Sequence, residues 1–301
     1  MPSHVSVQWT LPTQVIGKSD RMIEGVIASL GLANLLALGS VVLIGLPHGA
    51  FDGAIAGYLG YTARPQWLLR FLGLYLLFAA AVVMIWMYFP VAALIGFLVI
   101  SMIHFGLGDA SATKGWFRKV QAVSHGGIVV VAISQGHKQE VDRIFSYLVG
   151  GETHVVWTAI DVMSVVVAVA LIVYAWQALW DGRWRAGFLE IVALLSLFLL
   201  VPPLVGFAIY FCCVHSARHL LSIWRSINSE MPRKSIYFQA AFFTLASWAA
   251  GAIALYYCMT NMSMESAVLQ VVFIGLAALT VPHMLLVDGM FRRHAVRPAQ
   301  G

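Results

Sequence analysis

Runs of about twenty apolar residues, each enough to cross a hydrocarbon core about 30 Å thick as a helix, recur along this 301-residue chain with only short polar connections. A backbone in lipid must satisfy its own hydrogen bonds, so the runs predict an all-α fold, a polytopic transmembrane helical bundle. Composition agrees. Hydrophobic residues make up 60% of the chain and charged residues only 10%, against about 25% charged in soluble domains. Mean hydropathy is +0.85, and no soluble domain fits between the runs. The first 25 residues hold Lys18, Asp20, Arg21 and Glu24 but no h-region ending in a cleavage site, so the first span is expected to insert and stay.

Spans are expected near 26–46, 67–89, 91–107, 120–135, 154–180, 187–201, 204–224, 236–259 and 266–290. Pro202-Pro203 interrupts one long apolar run and marks either a tight turn between two helices or a kink in one. Charge arbitrates. With a turn, thirteen basic residues, among them Arg64, Lys114, Arg183, Arg233 and Arg292, share one side, and only Lys18, Arg21, Lys138 and Arg143 lie opposite. With a kink the division is seven against ten. Positive-inside logic therefore favours nine spans over eight, with the N-terminus out and the C-terminus in. The net charge of +5 is accounted for by these loop residues, which argues against a nucleic-acid partner. No repeat or linker divides the chain, so residues 26–291 are expected to form a single domain between an N-terminal tail (1–25) and a basic C-terminal tail (292–301). Cys212, Cys213 and Cys258 lie in apolar segments, and an adjacent pair does not form a normal disulfide, so core thiols are expected.

Six of the ten histidines, His48, His104, His125, His215, His219 and His283, lie inside or at the ends of these spans. Imidazole is costly in hydrocarbon, so such a cluster points to function, and to a metal site first. Nine spans place all six at or below mid-depth on the cytoplasmic side, whereas eight spans separate His48 and His104 from His219 by much of the bilayer. His215 and His219, four residues apart, project from one helix face with Cβ atoms about 6 Å apart, and both can ligate one ion. Arg218 beside them needs a carboxylate or water nearby, or else snorkels to the surface.

Pro47-His48-Gly49 with Asp52 and His104-Phe105-Gly106 with Asp109 share a pattern of histidine, glycine and later aspartate. The glycine admits another helix or a ligand, and the aspartate can accept the second ring N–H of a ligating histidine. Pro282-His283 with Asp288 repeats the theme, and His125 precedes Gly126-Gly127. His125 and His283 are each a ligand, an outer hydrogen-bonding group or a packing histidine. His4, His137, His154 and His294 are expected to be solvated. An all-imidazole set suits zinc, copper, iron or nickel alike. Aromatic residues are abundant in the spans, where they are ordinary core and interface residues, and a site fed from the bilayer favours a long apolar substrate.

Taken together, these five motifs, in order and spacing over roughly residues 40–290, resemble the Brp/Blh family of membrane β-carotene 15,15'-dioxygenases. The resemblance implies cleavage of β-carotene at its central double bond with O2, two molecules of all-trans-retinal as product, and supply of retinal to a rhodopsin-type protein. It implies Fe(2+) held by His48, His104, His215 and His219, a location in the cell (inner) membrane among its lipids, and a metal site in the cytoplasmic half. Asp52, Asp109 and Asp288 are then expected to orient the ligands, with His125, His283 and Arg218 as candidate additional members of the site. Two alternatives stay open on the residues alone: a non-catalytic membrane carotenoid or haem carrier, and a histidine-rich membrane desaturase or hydroxylase. A haem carrier needs two bis-histidine pairs, and a di-iron desaturase needs more HxxxH and HxxHH clusters than the one HxxxH present.

Overall fold

The computed structural model describes residues 30–111, 115–228 and 230–291. Both expected tails, and the side chains of His48 and Met290, lie outside the described residues. Among the described residues all regular structure is helical. The chain enters through α1 (Leu32–Ser40), a π-helical turn (Val41–Gly45), and the short helices α2 (Pro47–Ala50) and α3 (Asp52–Tyr58). Next come α4 (Pro65–Tyr88), α5 (Pro90–Asp109) and α6 (Trp116–Gly136). They lead to α7 (Lys138–Val149), α8 (His154–Trp180), α9 (Arg185–Leu200) and α10 (Pro203–Ile209). A second π-helical turn (Tyr210–His215) joins α10 to α11 (Ser216–Ile227), followed by α12 (Arg233–Met259) and α13 (Met264–Met284), which runs into a third π-helical turn (Leu285–Phe291).

Among the described residues six stretches are long and apolar enough to cross a membrane: Pro65–Tyr88, Pro90–Asp109, His154–Trp180, Pro203–Ile227, Arg233–Met259 and Met264–Gly289. Leu32–Gly45 is apolar but shorter. Helices also occupy the two remaining expected positions, as α6 and α9. The 16 residues of α9 are short for a span. The polarity of α6 has a packing reason: it is the central helix, with Gln121, Ser124, His125 and Ser134 all buried against α5, α8 and α9 rather than facing lipid. At the periphery, none of the most apolar stretch of α12 is buried, and almost none of that of α4, as expected of helices facing hydrocarbon.

Prolines punctuate the chain as their chemistry dictates. Pro65, Pro90 and Pro203 each sit in the first turn of a helix, where the missing N–H costs nothing. At Pro202-Pro203 the chain turns: Val201 and Pro202 leave helical geometry, and the Phe198 and Tyr210 rings lie 5.9 Å apart. Twelve residues along one continuous helix would separate them by about 18 Å. The helix α7 was not anticipated from hydropathy. It is amphipathic, buries Val141, Phe145, Leu148 and Val149, and ends at Gly150 in the left-handed conformation. His137, expected to be solvated, is half-buried instead, and its Nε2 meets the Phe198 carbonyl at the end of α9 at 2.9 Å. The three cysteines are free, with Cys212 buried and Cys213 exposed rather than in the core.

Candidate metal centre

Three segments meet to bring four imidazoles together. His104 comes from α5, His215 from the π-helical turn before α11, His219 from α11 and His283 from α13, and all four are buried. Ring centroids lie 5.0 Å apart for His104 and His215, 5.3 Å for His104 and His283, and 4.9 Å for His219 and His283. His215 and His219 stack at 6.1 Å with 12° between their planes, as two residues four apart on one helix face should. His104 and His219 are 6.3 Å apart. His48 belongs to α2, which packs against α11 and α13, and its neighbours Gly49 and Ala50 line a cleft beside the cluster. The His48 side chain lies outside the described residues.

The carboxylates reach the histidines from neighbouring elements rather than from their own motifs. Asp52, wholly buried, accepts the Nδ1 proton of His283 at 2.7 Å, and its second oxygen accepts a hydrogen bond from the Tyr75 hydroxyl at 2.8 Å. Asp288 approaches Nδ1 of His104 at 3.6 Å. A carboxylate on Nδ1 fixes the tautomer, so His283 is left with Nε2 as its ligating nitrogen. Asp109 turns elsewhere. It accepts from the Tyr210 hydroxyl at 2.7 Å and meets Arg218 at 3.4 Å, while Arg218 also bonds Glu190 at 2.6 Å. That resolves how Arg218 is carried near an apolar interior: two carboxylates neutralise it, and it remains 44% exposed.

His125 stands apart from the four-ring cluster, buried on α6 with its ring 6.0 Å from Tyr174. Its neighbouring glycine explains the motif better than a ligand would. A Cβ on Gly126 would fall 1.8 Å from the Met102 carbonyl, and one on Gly106 would fall 1.9 Å from the Ala122 carbonyl. The two glycines let α5 and α6 cross at backbone contact, which seats His104. Three further features had no clear sequence signal. Each π-helical turn abuts a histidine motif: Val41–Gly45 precedes His48, Tyr210–His215 ends on His215, and Leu285–Phe291 follows His283 and carries Asp288. Such turns recur at functional sites, and their loosened carbonyls need donors; Trp248 Nε1 serves the Val42 carbonyl at 2.9 Å. Tyr75 and Tyr210 were hidden among many aromatics, and Glu190 was missed as the partner of Arg218, although its place as the one acid between residues 187 and 201 was a signal that could have found it.

Two clefts border the cluster. One is apolar: its walls include Phe97, Phe105, Phe207, Phe211 and Phe243, and His104 and His283 lie at its polar end. The other is polar, lined by His104, His215, His219, Asp109, Arg218 and Ser222 among others. Imidazoles bound to one ion at about 2.1 Å place their ring centroids about 4.5–5.2 Å apart for right-angled to tetrahedral geometry. Three of the five measured separations lie within about 0.1 Å of that range and two are about 1 Å wide. Among the described residues no three donors already meet as a formed metal site. The neutral nitrogen set, backed by carboxylates, fits a transition metal after a contraction of about 1 Å.

Fold and site together define a helical membrane protein built around a buried cluster of histidines and carboxylates that closes one end of an apolar cleft. The chain belongs to the β-carotene 15,15'-dioxygenase family, which it matches over residues 39–291. It is 37% identical to the β-carotene 15,15'-dioxygenase of the uncultured marine bacterium 66A03, across 89% of this chain and 98% of that protein. It is 27% identical to the probable β-carotene 15,15'-dioxygenase Blh of Halobacterium salinarum, across 85% of this chain and 84% of that protein. No solved structure matches the chain.

Proposed function

We propose that this chain cleaves β-carotene at its central 15,15' double bond with O2 to give two all-trans-retinal, at an Fe(2+) ion held by imidazoles. The observation that carries the reading is the meeting of His104, His215, His219 and His283 at one end of an aromatic-lined cleft in a member of this family. Addition of both atoms of one O2 across the bond balances to two aldehydes. Bound iron supplies the activation of oxygen.

The remaining tasks fall to the chain. His104, His215 and His219, with His48 and His283, form the ligand pool, and open coordination positions follow if fewer than six bind. Asp52 keeps the His283 proton on Nδ1, and Tyr75 fixes the Asp52 carboxylate. Phe105, Phe207 and Phe211 exclude water and hold a polyene by shape, so the bond that is cut depends on how far the polyene penetrates the cleft. Phe243 and Ser247 bring the lipid-facing α12 into the cleft wall, which suits supply of substrate from the bilayer.

The same reading has nine spans in the inner membrane, N-terminus out and C-terminus in, with the metal in the cytoplasmic half and retinal passing to a rhodopsin-type protein. Basic residues in the loops support that orientation. Expression in a bacterium that accumulates β-carotene tests the activity. Retinal is expected at two per β-carotene consumed and is expected to vanish with His219→Ala; unchanged β-carotene with intact protein in the membrane would overturn the proposal. Iron content of the purified protein tests the metal.

A further inference from the structure

The two clefts lie on opposite sides of the histidines and differ in chemistry. Along α5 the chain passes Phe97 and Ser101 in the apolar cleft, then His104, then Gly108 and Asp109 in the polar one. Along Pro203–Ile227 the order is Phe207 and Phe211, then His215, then Arg218 to Ile223. Along α13 and the turn after it, Leu276 to Thr280 are followed by His283, then Val287 and Phe291. The three segments therefore run in the same direction, and the histidines form a partition across them. His104 faces both clefts, His283 lines the apolar one, and His215 and His219 line the polar one.

Among the described residues the apolar cleft is lined by no carboxylate, guanidinium or ammonium group, and its polar groups are the hydroxyls of Tyr75, Ser101, Ser247 and Thr280 and the imidazoles of His104 and His283, so a hydrated ion crossing it would shed water with no negative charge to compensate. The polar cleft offers replacement. Asp109 and Arg218 line it, and Glu190, outside the lining, pairs with Arg218 from α9; two carboxylates against one guanidinium leave an excess of one negative charge that attracts a cation. Arg218 itself occupies the place between the two acids where a cation is stabilised. Exposed Ser222, one helical turn beyond Arg218, lies at the mouth.

We propose that the polar cleft is the passage by which a hydrated divalent cation reaches the histidines, separate from the apolar cleft that receives the polyene. The inference rests on the proposed metal site. It implies that metal exchange and carotenoid occupancy are separable by substitution, because a bulky side chain in one cleft leaves the other open.

The test uses full-length protein in detergent or nanodiscs, stripped with a chelator and mixed with Co(II), whose visible absorption reports imidazole coordination. Ser222→Trp is expected to slow Co(II) uptake about tenfold, with the final stoichiometry and spectrum unchanged. Ser247→Trp, in the apolar cleft, is expected to keep the wild-type uptake rate while weakening carotenoid binding. Glu190→Gln is expected to slow uptake several-fold at low salt, the difference closing at high salt, and it carries the test if Ser222→Trp fails to fold. Wild-type uptake in Ser222→Trp, or slowed uptake in Ser247→Trp, would overturn the passage while leaving the metal site standing. Absence of Co(II) and Fe(II) binding in the wild-type protein would overturn the metal site and the passage with it.

Discussion

Asp52 and Asp109 follow a histidine and a glycine at similar distances, both are buried, and both accept a hydrogen bond from a tyrosine. Their other neighbours separate them. Asp52 faces the neutral ring of His283, where its charge polarises an imidazole and fixes which nitrogen is free. Asp109 faces Arg218, whose charge cancels its own, and the network continues through Glu190 toward the surface. A shared spacing along the chain thus defines where a carboxylate sits on its helix and leaves its task to whatever element docks opposite. The first aspartate belongs to the histidine cluster and the second to the cleft behind it.

Substitution separates the two most sharply at Asp52. Asp52→Asn is expected to lower metal affinity about 10- to 100-fold, with retinal formation falling alongside, as measured by metal titration and chromatography of extracts. Asp109→Asn should act on stability instead. It strands the half-exposed Arg218 with Glu190 alone and is expected to cost roughly 1–2 kcal/mol in thermal or denaturant unfolding, with metal affinity within about threefold of wild type. If the two variants lose metal equally, the contrast fails. Tyr75→Phe removes one hydrogen bond to Asp52, about 1 kcal/mol, and is expected to weaken metal binding about fivefold without altering stoichiometry. The smallest effect is expected from His125→Leu, which should leave metal content unchanged and shift stability by about 1 kcal/mol; lost metal would bring His125 into the ligand set.

Much of the fold was legible because lipid demands long apolar helices. Hydropathy located helices at nine positions, and the counting of basic residues anticipated the turn at Pro202-Pro203 that Phe198 against Tyr210 makes plain. It did not reveal α7, whose charged face hides its apolar one in any average over the chain. It also did not foretell that six stretches among the described residues are long and apolar enough to cross, since a central helix such as α6 tolerates polar residues by burying them. In the site, His104, His215, His219 and His283 were all singled out as imidazoles in apolar runs, His283 with its role left open, and the structure brings the four rings together. The pairing of Asp52 with His283, 231 residues on, was not legible, because it depends on how α3 docks beside α13. Tyr75 and Tyr210 carried no signal, since one phenol among many looks like ordinary membrane packing.

The three π-helical turns carry a mechanical consequence. A wide turn takes in one more residue than an α-helical turn, and one residue corresponds to about 100° of rotation. The first two turns therefore work as index steps, each setting the azimuth of the segment after it independently of the segment before. Residues 32–40 can keep the face they show to α10 while the chain beyond Gly45 turns Gly49 and Ala50 to the apolar cleft, and the same holds on either side of His215. Removing one residue from either of these turns would preserve hydropathy and every side-chain identity downstream, yet it would swing the following segment about a quarter turn away from the cluster.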